Sequence, residues 1–130
     1  MLTEKDYCDY DTCVALKELG YIGQGRHYYD RDKDPNELRH FGVQVLTTRS
    51  AEALNFVLAV HLFYAQKWLR EVHNLHIEVG YNPSLSWYYY HVWESQDEIA
   101  EGEAFPSYED ALSTAIYMAV SYLKEESNGN

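Results

Sequence analysis

A chain of 130 residues with 46% apolar content is the length of one domain (1–130) and too apolar for a disordered one. Twenty-one acids against ten bases give a net charge of −11. With the bases scattered singly along the chain, that charge argues against nucleic acid as a partner. No apolar run approaches the roughly 20 residues that span a bilayer. The polar opening MLTEKDYCDYD has no secretory leader, so a cytoplasmic protein without a membrane segment is expected.

In chain order, the first predicted element is a short helix over about 10–19. Asp9 or Asp11 can cap it, Cys13, Leu16 and Leu19 form its apolar stripe, and Gly20 ends it in a left-handed conformation. Cys8 and Cys13 are spaced for neither a C-x-x-C motif nor a zinc site, and Cys13 reads as a small buried hydrophobe. Residues 21–49 are polar and irregular, with short strands predicted at 26–29 and 41–46, the second on the strength of Val43 and Val45. Ser50 can cap a helix, but 50–60 is left without an assignment.

From about His61 to His73 a helix is predicted, with Leu62, Ala65, Leu69 and Val72 recurring at threes and fours. The period then changes to two. Leu75, Ile77 and Val79 alternate with His76, Glu78 and Gly80, which makes a half-buried strand. After an Asn82-Pro83-Ser84 turn, Ser86–Glu94 carries rings on both faces and is expected inside a sheet. Residues 94–110 hold seven acids and no Lys or Arg, and read as a solvated acidic loop. Ser107 and Asp110 form a capping-box variant opening a helix over 107–124, with Tyr108, Ala111, Leu112, Ala115, Ala119 and Leu123 on its packed face and a frayed tail at 125–130.

Each motif has a plain structural reading beside a chemical one. His73-x-x-His76 lacks the i, i+4 spacing of a helical metal pair, and a helix end at His73, a left-handed Asn74 and a strand from Leu75 account for it. Asp30-x-Asp32-x-Asp34 begins like a calcium loop, but Pro35 and Phe41 stand where Gly and a bidentate Glu are needed. Gly23-Gln24-Gly25 lacks the frame of a phosphate loop. The rings of 87–93 read first as core, and then as a protein contact through Trp87, Tyr89 and Trp93 with the acids Glu98, Glu101 and Glu103 nearby.

Two stretches carry a resemblance. Ala59, Leu62, Ala65, Lys67-Trp68-Leu69-Arg70-Glu71, followed by Tyr108, Glu109, Ala111, Ala115 and Ile116, are similar to a motif A-P-T-L-x-x-A-x-K-W-L-R-E … Y-E-E-A-x-x-x-A-I. That motif marks a family of small uncharacterised phage- and prophage-associated proteins of gut anaerobes. Val60 and His61 depart from it, standing where the family has Pro and Thr. The resemblance implies an α+β domain and a mobile-element origin, and no activity, cofactor or catalytic residue.

The expected fold is α+β, an antiparallel sheet of about three to five strands packed by two or three helices. The expected function is a noncatalytic accessory factor that binds another protein, without a cofactor and with a homodimer possible. The alternative is a small hydrolase or metal-binding protein using a His/acid cluster drawn from His61, His73, His76 and His91 with nearby acids.

Overall fold

The computed structural model describes residues 4–128. The fold is mixed α+β, with antiparallel sheets packed by helices. The strands are distributed over three sheets, in two compact units, one ending at His61 and the other beginning at Leu62.

In the first unit, Asp9 caps helix α1 (Tyr10–Glu18), its side chain accepting from Thr12 N–H at 2.9 Å. Gly20, at φ 103°, closes the helix as expected, and Tyr21 N–H returns to Leu16 O at 2.9 Å. Short strands follow: β1 (Gln24–Gly25), β2 (His27–Asp30), β3 (Arg39–His40) and β4 (Leu46–Thr47). Helix α2 (Thr48–Ala53) and strand β5 (Phe56–Leu58) complete the unit. β1 pairs with β4, and β3-β2-β5 is a second antiparallel sheet. Leu46, Ala51 and Leu58 form a core packed by Tyr28, Phe41 and Phe56. Cys8 and Cys13 are buried free thiols.

Two expectations change here. Residues 41–46 are not a strand: Gly42 turns at φ 85°, Val43 is 86% exposed, and only Leu46 enters pairing. β-branching favours an extended chain, but it supplies no neighbouring strand to pair with. Residues 50–60, left without assignment, divide at Asn55. Thr47, three residues before Ser50, caps α2, and Ser50 is its partner in a reciprocal capping box. Asn55, at φ 62°, then ends the helical run and lets Phe56–Leu58 pair with β2. The Asp30–Asp34 run forms local turns, with Asp30 Oδ1 accepting from Asp32 N–H at 2.9 Å and Asp34 Oδ1 from Asn36 N–H at 3.0 Å.

The second unit runs α3 (Leu62–His73), β6 (Leu75–Asn82), β7 (Trp87–Glu94), β8 (Asp97–Phe105) and α4 (Tyr108–Asn128). Asn74, at φ 56°, makes the expected joint between α3 and β6. The sheet order is β6-β7-β8, so the aromatic strand is central, as its two apolar faces required. α3 lies on β6, and α4 crosses all three strands. Both helices cover the face that carries Leu75, Tyr90 and Val92. Leu69, Leu75 and Ile116 are fully buried, and burying a side chain of this kind contributes about 1.5–3 kcal/mol.

Three corrections belong to this unit. The acidic stretch after Glu94 is no loop: Asp97–Phe105 is strand β8. Val72, assigned to the packed stripe, is 59% exposed, because it sits at the stripe's margin in the helix's last turn. Tyr108, placed on the packed face of α4, is largely exposed in the first turn. α4 itself extends to Asn128, past the expected end at 124; Ser107 Oγ accepts from Asp110 N–H at 3.1 Å, as the capping motif required.

Candidate metal centre on the outer face of the β6-β7-β8 sheet

Alternation along β7 sends Tyr88, Tyr90 and Val92 toward the helices and Trp87, Tyr89, His91 and Trp93 to the opposite, outer face. Opposite these four on β6 stand Asn82, Gly80, Glu78 and His76 respectively. Gly80 matters: a Cβ there would run into the tip of the Tyr89 ring. The glycine therefore lets Tyr89 lie across the neighbouring strand.

On the other side, β8 departs twice from regular pairing. Trp93 faces Glu98 and Val92 faces Ala100, so Ile99 is an inserted bulge residue. Glu98 and Glu101 are three apart, and in a regular strand they would point to opposite faces. The bulge corrects that parity, and both carboxylates reach the outer face beside His91. The second irregularity sets Glu103 and Ala104 against Tyr89, with Ala104 at φ 69°. Glu103 stays outward next to Tyr89, while Phe105 returns to the inner face, 5.7 Å from the ring of Tyr90.

The result is a compact donor set. His91 Nδ1 lies 3.2 Å from Glu98 Oε1 and 3.9 Å from Glu101 Oε2. One ligand atom from each of the three side chains lies within 4.8 Å of the others. Two donors bound to one ion at about 2.1 Å sit roughly 3–3.4 Å apart, so the His91–Glu98 edge already has a suitable length. Glu101, 71% exposed, has room to close the remainder.

The electrostatics show how the set manages two adjacent acids. Glu98 is held below the usual carboxylate range, first by its hydrogen bond with Glu101 and then by that with His91. Glu101 is raised, first by the same bond and then by the charge of Glu98. The two titrate as an interacting pair, with Glu98 the stronger acid and Glu101 the weaker. Neighbouring carboxylates need a proton or a cation between them, and His91 supplies the only nitrogen base in this cluster.

The set adjoins a groove of about 330 Å³ lined by Asn82, Trp87, Tyr89, His91, Glu101 and Glu103. The Tyr89 and Trp93 rings flank that of His91 at 5.5 and 5.9 Å.

The remaining sequence candidates lie elsewhere. His61 bridges to Tyr7, whose ring it meets edge-on at 5.5 Å. His73 sits in the last turn of α3, 4.7 Å from the Trp68 ring. His76 Nε2 is 2.9 Å from Asn74 Oδ1. Of the four histidines considered for metal, His91 alone joins a three-donor cluster among the described residues. Trp87, Tyr89, Trp93, Glu98, Glu101 and Glu103, considered for partner contact, share one face of the sheet with it. What sequence reasoning missed is their convergence, together with Asn82 in the wall of the groove. The only available signal was acids recurring after a strand that itself carries a histidine.

No protein-family model, curated protein or solved structure matches the chain.

Proposed function

We propose that this is a divalent-metal-binding protein, with His91, Glu98 and Glu101 as the ligands. This is the alternative that the sequence left open. The observation that carries it is the grouping of three donor atoms within 4.8 Å on one rigid sheet face. One imidazole with two carboxylates suits a borderline first-row ion such as zinc or manganese, and lacks the soft sulfur that would favour copper(I). Three protein ligands leave coordination positions open toward the groove, as in sites that present an ion to a bound molecule. Binding requires both carboxylates to be ionised and imidazole Nδ1 to be free of its proton.

The test is calorimetric titration of chelator-stripped, dialysed protein with ZnCl₂ and MnCl₂. One ion per chain is expected. Glu98→Gln and His91→Ala should each weaken binding by at least roughly tenfold, since even outer-shell changes cost 10–100-fold at metal sites. Equal uptake by the wild type and His91→Ala would end this reading.

A further inference from the structure

We propose that the groove beside the metal ligands, at its Trp87–Tyr89–Glu103 end, binds an organic cation: an alkylammonium or guanidinium head group. This proposal does not need a bound ion: its principal contacts are Trp87, Tyr89 and Glu103, while the groove shares His91 and Glu101 with the metal ligands. Trp87, Tyr89 and Glu103 line the groove together, Glu103 standing at the irregularity opposite Tyr89. A ring face attracts a cation through its quadrupole, and a neighbouring carboxylate adds a charge-assisted hydrogen bond.

Charge complementarity gives the occupant its sign. Between Arg70 and Lys124 the chain contains no Lys or Arg. The sheet therefore offers Glu78, Glu98, Glu101 and Glu103 on its outer face without a strong base of its own to answer them. A permanent positive charge must come from outside this sheet. An anionic ligand would meet only repulsion at Glu101 and Glu103, and a purely apolar one would strand them from water.

Size and rigidity set the class. A groove of about 330 Å³ is at the small end of the range for small-molecule sites and suits one head group with a short stem. Tyr89 is placed by its seat on Gly80 and by the His91 ring 5.5 Å away. Asn82 is held by its own turn, its Oδ1 accepting from Ser84 N–H at 3.0 Å and Leu85 N–H at 3.3 Å. Walls fixed in this way lose little freedom when a ligand arrives.

The experiment uses the whole chain, stripped of metal, with tryptophan fluorescence and calorimetry as readouts. The probes are n-butylguanidinium, the neutral isostere n-butylurea, and the acetylated peptide amide Gly-Arg-Gly. Saturable one-site binding of the guanidinium is expected, with the urea at least roughly fivefold weaker, in line with a charge-dependent ring and carboxylate contact. Trp87→Leu and Glu103→Gln should each weaken it roughly two- to fivefold, the range for an exposed cation–ring contact. Glu98→Gln, which removes a metal ligand that is not in the groove wall, should weaken it less than Glu103→Gln does.

Equal binding of free guanidinium and peptide assigns the head group to a free small amine; tighter binding of the peptide assigns it to an arginine side chain. Urea binding as well as guanidinium, or indifference to both Trp87→Leu and Glu103→Gln in variants that melt like the wild type, overturns the proposal. Loss of zinc binding in Glu98→Gln with guanidinium binding intact separates this site from the metal centre. A wild type that takes up guanidinium and no metal overturns the metal reading alone.

Discussion

Two glycines on opposite faces of one sheet should respond differently to the same substitution. Neither Gly80 nor Gly102 has a positive φ, so Ala at either position gains about 0.4–1 kcal/mol by restricting the unfolded chain. At Gly80 the new Cβ meets the far end of the Tyr89 ring on the outer face, which can swing toward water. The lost ring contact is of the same order as the gain, so Gly80→Ala should change stability by less than about 1 kcal/mol. At Gly102 the Cβ meets an inner edge of the Tyr90 ring, which is 3% exposed, and Phe105 at 3.2 Å. That ring has no free space to enter, and overpacking of this kind costs about 1–3 kcal/mol. The net loss for Gly102→Ala is about 1–2 kcal/mol, a fall in Tm of roughly 3–10 °C for a chain of this size. Urea melts of both variants, with calorimetric guanidinium titrations of Gly80→Ala, provide the assay. Gly80→Ala should stay within about 1 kcal/mol of the wild type and bind the cation roughly two- to fivefold more weakly, because the displaced ring belongs to the groove. A Gly102→Ala variant no less stable than Gly80→Ala would refute the assignment of inner and outer faces.

The metal centre should release its ion in acid. Glu101 is raised, first by its hydrogen bond with Glu98 and then by that neighbour's charge, so zinc affinity should fall as pH drops through its titration; calorimetry at several pH values that shows no such fall would contradict the ligand set. In α3, Leu69→Ala should cost about 2–5 kcal/mol and Val72→Ala under about 0.5 kcal/mol, since one side chain is fully buried and the other 59% exposed; denaturant melts measure both. Asn74, at φ 56°, should tolerate Gly without loss and lose about 1 kcal/mol on replacement by Ala, read the same way. The thiols of Cys8 and Cys13, each 1% exposed, should react with a maleimide only as the protein unfolds; the hydrogen bond with Cys13, and then burial, also push the Cys8 thiol up, away from the reactive thiolate.

How much of this was legible in the sequence depended on whether neighbouring residues carried the information. α1, α3 and α4 each announced themselves through a helical stripe or a cap: Asp9, Asn74 and Ser107 all do what their chemistry suggests. β7 was legible because its alternation runs unbroken from Trp87 to Trp93. β8 was not. Asp, Glu, Gly and Ala are weak strand formers, and its two irregularities erase the period of two that would otherwise have marked Glu98, Glu101 and Glu103 as residues of one face. The donor set was hidden for the same reason. Glu98 and Glu101 lie seven and ten positions after His91, a spacing that means nothing until the register of β7 against β8 is known.

A strand at the edge of a sheet gains from bulges and charges of its own, because both discourage pairing with another chain. That purpose accounts for acids on β8 and for a break in its ladder. It does not account for where the break falls. A bulge placed elsewhere on the strand, or none, would leave Glu98 and Glu101 on opposite faces, each solvated alone and free of the other's charge. Ile99 instead brings them together against His91, in an arrangement that raises Glu101 through the carboxylate beside it. Protection of the edge needs no such convergence, and it opposes like charges in contact. A cation received between the two carboxylates reverses the sign of that interaction, replacing repulsion with attraction to both.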